Sequence, residues 1–305
     1  MTTDHDTAPG ARSASGPGPA GVLAELDAAA RRVVVPTPGG VSVWRSWGSG
    51  PPVVLLHGGT GSWRHWVSNV HALAASYTVW APDMPGYGDS DDAPAGADPA
   101  ALAQVLSQAL DTVLPGSAPV DLVGFSFGGI VASHLAAQRP DRTRRLILVG
   151  AVGLGALRRP RDREMRRWRG LDDAQASRAA HRHNLAVLMI ADAARIDELA
   201  IEVQQRNAQR TRFLSRGLSR GHALREILPQ VAAPISAVWG RFDATSSDGI
   251  ETVVDEFRAL LPQARWHVID EAGHWVQYEE AGAFNALLLE WLAEPAAGLA
   301  ARRCG

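Results

Sequence analysis

The chain has 305 residues and a formal net charge of −2, so its overall charge favours neither nucleic acid nor an anionic membrane surface as a partner. Its one cysteine, Cys304, excludes an intramolecular disulfide bond. No apolar run reaches membrane-spanning length, and residues 1–20 lack the charged and apolar regions of a signal peptide. We therefore expect a cytoplasmic protein without membrane association, in which residues 1–20 form a disordered tail.

Short apolar strands alternate with amphipathic helical stretches, which predicts a mostly parallel sheet covered by helices on both faces. An antiparallel pair opens the sheet. The predicted strands are Val33–Pro36, Val41–Trp47, Val53–His57, Tyr77–Asp83, Val120–Phe125, Leu146–Val149, Ile235–Gly240 and 265–270. The predicted helices cover 64–75, 99–114, 128–139, 248–261 and 277–293.

Residues 153–229 interrupt this alternation. They contain no convincing strand, are rich in Arg, Ala and Leu, and end near two prolines, Pro229 and Pro234. We predict a helical cap over 153–229, inserted into a core formed by 21–152 and 230–298. Such a cap would exclude water from the site and would supply residues that select the substrate.

A Gly-Phe-Ser-Phe-Gly-Gly string at residues 124–129 lies between a predicted strand and a predicted helix. Glycines two residues before and after Ser126 allow a sharp backbone turn, which would lift the serine hydroxyl off the sheet. This arrangement is typical of a nucleophile elbow. The amide of the following residue, Phe127, would then face the group that the serine attacks, as one donor of an oxyanion hole.

The other groups that serine chemistry requires follow the strands in the expected chain order. A glycine-rich loop after His57 provides Gly59 as the second predicted oxyanion donor, while His57 itself is expected to brace this loop. Asp243 follows a later strand, and His274 follows the last strand and a glycine. We predict His274 as the base and Asp243 as the carboxylate that orients it. Asp248 and Asp270 are alternative candidates for the carboxylate that orients His274. Asp248 is also a candidate N-cap of the predicted helix that follows it.

Several further features have simpler readings. The arginine-rich stretch 158–169 is expected to be a solvated helix face, with an acidic partner as the alternative. His181 and His183 are two residues apart and would lie on different helix faces, so we expect no metal site. No dinucleotide fingerprint is present, so we expect no cofactor. Trp63 and Trp66 are expected in the core, whereas His65 is a candidate pocket residue.

From Val41 to Trp291 the chain resembles the α/β-hydrolase superfamily. The resemblance implies an α/β-hydrolase fold: a mostly parallel eight-stranded sheet with an inserted helical cap. It also implies the triad Ser126, Asp243 and His274, and the oxyanion donors Phe127 and Gly59. The residues from Gly273 to Glu279 and from Gly240 to Asp243 are similar to those of the meta-cleavage-product hydrolases, which split a carbon–carbon bond in 2-hydroxy-6-oxo-dienoates.

This narrower resemblance implies a cap arginine that holds a substrate carboxylate, and Arg206 is the nearest match, with Arg210 as a second. Trp275, directly after the histidine, is a further predicted substrate contact. Phe125 stands where that family usually has asparagine, which would favour a more apolar substrate. His65 likewise replaces another polar pocket residue of that family.

The sequence thus predicts a serine hydrolase acting on a small-molecule substrate, either a carboxylic ester or a vinylogous diketone acid cleaved at a carbon–carbon bond. Two alternatives use the same fold. A lyase, cyclase or acyl-transfer enzyme would use the same base without attack by water, and a ligand receptor would keep the pocket without turnover. A homodimer is left open.

Overall fold

An eight-stranded sheet organises the chain in the computed structural model, which describes residues 17–155, 165–215, 217–218, 221–246 and 249–295. The strand order is β1-β2-β4-β3-β5-β6-β7-β8. β2 pairs antiparallel with β1 and β4, whereas the pairs from β4 to β8 are parallel. The predicted mostly parallel eight-stranded sheet is confirmed. The strands are β1 (Arg31–Thr37), β2 (Gly40–Trp47), β3 (Pro52–Leu56), β4 (Thr78–Asp83), β5 (Val120–Phe125), β6 (Thr143–Val149), β7 (Ile235–Gly240) and β8 (Arg265–Ile269).

Helices cover both faces of this sheet. The α-helices of the described residues are α1 (Pro19–Ala28), α2 (Val70–Ala74), α3 (Pro99–Val113), α4 (Phe127–Gln138), α5 (Ala174–Leu188), α6 (Glu198–Gln209), α7 (Ala223–Ile227), α8 (Ile250–Leu260), α9 (Val276–Glu279) and α10 (Ala281–Ala293). Short 3-10 helices occur at Trp63–Trp66, Ala193–Arg195 and Leu228–Gln230.

The apolar core lies in two layers, one on each face of the sheet. Side chains alternate along a strand, so Leu122 packs into the layer with α3, α4 and α8, and its neighbour Val123 packs into the layer with α1, α2 and α10. Both side chains are fully buried. Continuous apolar runs such as β5 therefore suit a central position in a sheet that is covered on both sides.

One predicted tail and two predicted helices differ from the structure. The predicted disordered tail 1–20 overlaps α1, which begins at Pro19; residues 1–16 lie outside the described part of the chain. Leu23 and Leu26 of α1 are buried, so tertiary packing stabilises a helix that its weak local pattern does not indicate. The predicted helices 64–75 and 277–293 are each divided. The second division is at Glu280, whose φ of −120° and ψ of 50° end α9 before α10 begins.

Between β6 and β7 the described chain forms α5, α6 and α7 and contains no strand. Part of the arginine-rich stretch, residues 158–164, lies outside the described residues. α6 packs against α1 and the Trp63–Trp66 helix, and α7 packs against α4. These contacts bring the segment to the same edge of the sheet as the ends of β3 and β5, where the predicted reactive groups lie.

Candidate active site

Ser126 lies at the sharp turn between β5 and α4 with a φ of 53°, a conformation that non-glycine side chains rarely adopt. Two glycines allow it. A Cβ on Gly124 would lie 2.6 Å from the Gly128 carbonyl oxygen, and one on Gly128 would lie 2.3 Å from that of His57. The turn leaves Ser126 partly exposed, while the residues on both sides of it are buried. Backbone strain of this kind is often found where a side chain has a function.

Ser126, His274 and Asp243 form a hydrogen-bonded chain. His274 Nε2 lies 2.9 Å from Ser126 Oγ, and His274 Nδ1 lies 2.8 Å from Asp243 Oδ2. Both His274 and Asp243 are 3% exposed, so water does not compete for their contact. An Nδ1–H that donates to the carboxylate leaves Nε2 unprotonated and able to accept the serine proton. The structure therefore brings together the three residues predicted to react.

Asp243 follows β7 and is held by more than the histidine. Its Oδ1 accepts hydrogen bonds from Thr245 N at 2.8 Å and Thr245 Oγ1 at 2.7 Å. The rival Asp270 has an exposed side chain and receives a hydrogen bond from Arg241 Nε at 2.6 Å. The other rival, Asp248, lies outside the described residues. Of the described carboxylates, Asp243 is the one that contacts His274.

Gly59 and Phe127 lie on either side of the serine turn. Phe127 is the first residue of α4, so its N–H has no partner within the helix. Neither its N–H nor that of Gly59 donates in the turns and loops of the described chain. The N–H of Gly58, by contrast, donates to His65 Nδ1 at 3.2 Å. The positive end of the α4 dipole also favours negative charge near Ser126. Both N–H groups are thus without a backbone acceptor in the turns and loops of the described chain, and their role as oxyanion donors stays a prediction.

His57 braces this loop, as its sequence position predicts. Its Nε2 accepts a hydrogen bond from Met84 N at 3.0 Å, so the ring proton is on Nδ1 and is donated to the Gly58 carbonyl at 2.8 Å. Burial lowers the pKa of His57 and lowers that of His65 well below its usual value. Two neutral imidazoles therefore hold the loop on which Gly59 lies.

Phe125, His65 and Trp275 form a packed wall behind the serine turn. The Phe125 ring centroid is 5.1 Å from that of His274 and 5.3 Å from that of His65. Trp275 Nε1 donates to the His65 carbonyl oxygen at 3.0 Å. Each of the three is at most 1% exposed, so the structure does not present them to a substrate as the sequence predicted. Of the three, Phe125 packs directly against the His274 ring, and His65 and Trp275 pack behind it.

Arg206 requires a correction, because the structure does not place it at the triad. Its Nε donates to Glu202 Oε1 at 2.7 Å on the same face of α6. The predicted second choice, Arg210, pairs with Asp89. The sequence identified an arginine-bearing helix, but the face that each side chain occupies depends on how α6 packs.

The groove that reaches His274 has a volume of about 360 Å³. It lies between the end of α5 and the loops that carry Asp243 and His274, and its lining does not include Ser126. Its described lining includes two exposed acidic residues, Asp192 and Glu271, but no arginine; the other lining residues are Ala186, Leu188, Met189, Ile190, Ala191, Phe242, Ala244, Gly273 and His274. The groove is therefore partly apolar and bears negative rather than positive charge.

The fold agrees with that of known proteins. The model of the Alpha/beta hydrolase family matches residues 53–287. The chain belongs to the alpha/beta hydrolase family. A 2-hydroxy-6-oxo-6-phenylhexa-2,4-dienoate hydrolase of Burkholderia cepacia is 32% identical over 236 residues, which cover 72% of this chain and 79% of the relative. The protein with the present sequence is therefore an enzyme. The predicted resemblance of its motifs to those of the meta-cleavage-product hydrolases is confirmed.

Solved structures show the same fold. A meta-cleavage product hydrolase from Pseudomonas fluorescens superposes with a TM-score of 0.67 at 22% identity, covering 85% of this chain and 97% of the other. A thermophilic esterase from Thermogutta terrifontis gives a TM-score of 0.68 at 25% identity, covering 86% of this chain and 98% of the other. Carbon–carbon bond hydrolases and esterases both share the architecture of this hydrolase.

Two contacts near the triad of this hydrolase were not identified from the sequence. The buried carboxylate of Glu279 accepts hydrogen bonds from Gly273 N at 2.7 Å, Ala191 N at 3.0 Å and Asp192 N at 2.8 Å. It therefore joins the loop before His274 to the end of α5. The position of Glu279, five residues after the candidate base His274, was the one sequence feature that could have indicated its role. Which backbone amides it accepts hydrogen bonds from depends on the fold.

The second contact comes from residues 211–215, which cover both predicted oxyanion donors. Phe213 stacks on Phe127 with ring centroids 6.1 Å apart. Ser215 Oγ lies so close to Gly59 that a Cβ on this glycine would be 2.2 Å from it. The backbone N–H groups of Arg212 and Phe213 donate to the Gly86 carbonyl, at 2.9 and 3.1 Å. No local sequence signal marked this segment as a cover.

The described residues offer neither a cluster for a metal ion nor a helix that could span a membrane. No cluster of three or more His, Cys, Asp or Glu side chains there could hold a metal ion. No helix among the same residues is both long and apolar enough to span a bilayer.

Proposed function

We propose that this protein is a serine hydrolase in which Ser126 is the nucleophile, His274 the general base and Asp243 the carboxylate that orients it. The proposal rests on one observation: His274 Nε2 lies 2.9 Å from Ser126 Oγ, and His274 Nδ1 lies 2.8 Å from Asp243 Oδ2. Gly59 and Phe127 provide the N–H groups for the oxyanion. Each such donor contributes on the order of a hundredfold or more in rate in enzymes of this type.

The reaction proceeds in two stages. Ser126 Oγ adds to the substrate carbonyl carbon as its proton passes to His274 Nε2, and the oxyanion is stabilised by the two amides. Collapse of this intermediate expels the leaving group, which takes the proton from His274. Water, deprotonated by the same ring, then attacks the acyl-enzyme and releases the acid and free Ser126.

An uncharged carboxylic ester is the substrate class that we propose first. The groove at His274 carries Asp192 and Glu271 among its described lining and no arginine. Arg206 lines a different pocket, beside Glu202, and not this groove. A substrate carboxylate would therefore be repelled by the negative charge beside the triad, whereas a neutral ester would not be repelled.

Cleavage of a carbon–carbon bond in a vinylogous diketone acid is the second candidate. It is supported by the names of the relatives, which include a 2-hydroxy-6-oxo-6-phenylhexa-2,4-dienoate hydrolase. The same addition to a ketone carbonyl would be followed by cleavage of the carbon–carbon bond, whose electron pair leaves with a carbanion delocalised as an enolate, and the carbon atom of that leaving group would take the proton from His274.

We also propose that residues 153–229 form a cap over a core of 21–152 and 230–298. The contacts of Phe213 with Phe127 and of Ser215 with Gly59 support this division. Residues 186–192 contribute to the lining of the groove at His274, which supports a role of the cap in substrate selection.

Turnover of a short-chain nitrophenyl ester and of 2-hydroxy-6-oxo-6-phenylhexa-2,4-dienoate, measured side by side, tests the proposal. Wild type, Ser126→Ala and the control Ser107→Ala are compared. We expect ester hydrolysis that Ser126→Ala abolishes and Ser107→Ala retains. Fast serine-dependent loss of the dienoate with slow ester cleavage would establish the second candidate. Turnover that survives in Ser126→Ala would refute the serine mechanism, and products without oxygen from isotopically labelled water would indicate non-hydrolytic chemistry.

A further inference from the structure

A second pocket, separate from the triad, lies between the Trp63–Trp66 helix and α6. Its volume is about 320 Å³, and its lining is Arg64, Glu202, Gln205, Arg206, Gln209 and Arg210. It shares no lining residue with the groove at His274. All of its lining side chains except that of Glu202 are hydrogen-bond donors.

Arg64 is the buried member of this lining and is 6% exposed. It forms no ion pair with any described carboxylate, and its Nε has no hydrogen-bond partner among those residues. Its Nη1 donates to Ser62 Oγ at 3.3 Å, and the guanidinium carbon lies 5.0 Å from the Trp63 ring centroid. A buried cation without a counter-ion is costly, and the adjacent ring compensates only part of that cost.

The carboxylates nearest to Arg64 bind other arginines. Asp83 and Asp89 raise the pKa of Arg64, but burial is the larger effect and its pKa is lowered overall. Asp83 pairs with Arg45 at 3.1 Å, and Asp89 pairs with Arg45 and Arg210. The buried guanidinium is therefore left with charges at a distance rather than with a partner in contact.

The α6 side of the pocket adds positive charge and amide donors. The lining contains three arginines and one acid, Glu202, and one of these arginines, Arg210, also pairs with Asp89 outside the lining. Glu202 Oε1 accepts from Arg206 Nε at 2.7 Å, and its Oε2 lies 3.6 Å from Arg178 Nη1. The one acid of the lining is thus already bound to arginines. Gln205 and Gln209 also line the pocket, and their side-chain amides can donate hydrogen bonds.

We propose that this pocket binds a compact oxyanion, either a phosphate or a carboxylate, with Arg64 as the buried anchor and Arg206, Gln205 and Gln209 as the partners from α6. A guanidinium presents paired N–H groups that match two oxygens of such an anion. The anion would supply the counter-charge that the described residues do not bring into contact with Arg64. Since the pocket lies between two elements, bound anion would also hold α6 against the core.

The position of the pocket gives such binding a consequence for the active site. Ser62 ends the glycine-rich loop that carries Gly59, and its Oγ donates to Asn207 Oδ1 of α6 at 2.6 Å. The same Oγ accepts from the Arg64 side chain. An anion on Arg64 and α6 would strengthen this junction without contacting the triad.

Inorganic phosphate is the first probe, added at constant ionic strength to full-length protein while the thermal midpoint is recorded. We expect a saturable rise in wild type and in Arg258→Met, which removes one exposed positive charge far from the pocket. In Arg64→Met the apparent affinity should fall about tenfold or more, as expected for loss of a paired charge-assisted contact. No saturation in wild type, or equal binding in Arg64→Met, would overturn the proposal.

Gln209→Glu keeps the test decisive if Arg64→Met fails to fold. Gln209 is exposed, so the substitution adds negative charge to the pocket without altering the core, and phosphate binding should be lost. Succinate in a parallel titration distinguishes a preference for carboxylate from one for phosphate. Binding should also persist after a fluorophosphonate has blocked Ser126. Binding that is lost on blocking, or phosphate that competes with the ester, would place the anion at the triad and refute a separate site.

Discussion

Replacing Asp243 with asparagine should nearly abolish turnover while leaving the side-chain shape unchanged. In the wild-type site, Oδ1 accepts from Thr245 N and Thr245 Oγ1 at 2.8 and 2.7 Å, and Oδ2 is the oxygen nearer to His274 Nδ1, at 2.8 Å against 3.0 Å for Oδ1. An asparagine has one acceptor oxygen. Directing it towards His274 would turn an amide N–H₂ towards the backbone N–H of Thr245 and leave that buried donor unpaired, at a cost of about 1–3 kcal/mol.

The asparagine oxygen should therefore stay with Thr245, and its N–H₂ should face His274. The ring would then have to accept at Nδ1 and carry its proton on Nε2, which faces Ser126 Oγ at 2.9 Å. A protonated Nε2 cannot take the serine proton. The loss expected for such a tautomer change is about 10⁴-fold in kcat, or about 5 kcal/mol of transition-state stabilisation.

Steady-state kinetics on the best ester found for the wild type would measure this loss. KM should change little, since Asp243 does not line the groove at His274. Asp270→Asn is the matched control, because it makes the same chemical change at the rival carboxylate, and it should retain wild-type rates. A kcat for Asp243→Asn within about tenfold of wild type would refute the assignment of Asp243 as the orienting residue.

Three other changes follow from the site. Glu279→Gln should lower the free energy of unfolding by about 2 kcal/mol and reduce kcat, because one of the three N–H groups that donate to this carboxylate loses its charged acceptor; urea unfolding and ester kinetics measure both. Gly59→Ala should lose most activity through its clash with Ser215 Oγ, and adding Ser215→Ala should restore much of it, because the remaining Cβ contact is 3.4 Å. Acid should destabilise the fold: burial lowers the pKa of His57 and His65, so the unfolded chain binds more protons and the free energy of unfolding falls below about pH 6.5. His65→Gln should reduce that pH dependence in urea unfolding.

Each of these expectations has a control and a contrary result. Glu290→Gln, at an exposed site on α10, should leave stability and kcat unchanged. A Glu279→Gln variant as stable as this control would show that the three amides do not depend on the carboxylate. A double variant no more active than Gly59→Ala would mean that Ser215 is not the obstacle. A pH slope unchanged in His65→Gln would remove its buried imidazole as a cause of acid sensitivity.

The sequence by itself determined the sheet, the serine turn and the identity of the groups that meet there. Strand and helix periods are local, and the glycines around Ser126 are required by the turn itself, so neighbouring residues carry enough information. The chain order of Gly59, Ser126, Asp243 and His274 also follows from the sequence. The ends of parallel strands lie at one edge of a sheet, and this is why residues far apart in the chain could be predicted to meet there.

The tertiary structure alone decided which side chains face the groove and which are held elsewhere. Arg206 was predicted from its spacing, but the packing of α6 and the presence of Glu202 direct it to the other pocket. Phe125 and Trp275 have the expected positions in the chain and yet are buried. The role of Glu279 became visible only with the amides of two distant loops in place. Partners of this kind are set by the packing of elements remote in sequence, which local patterns do not encode.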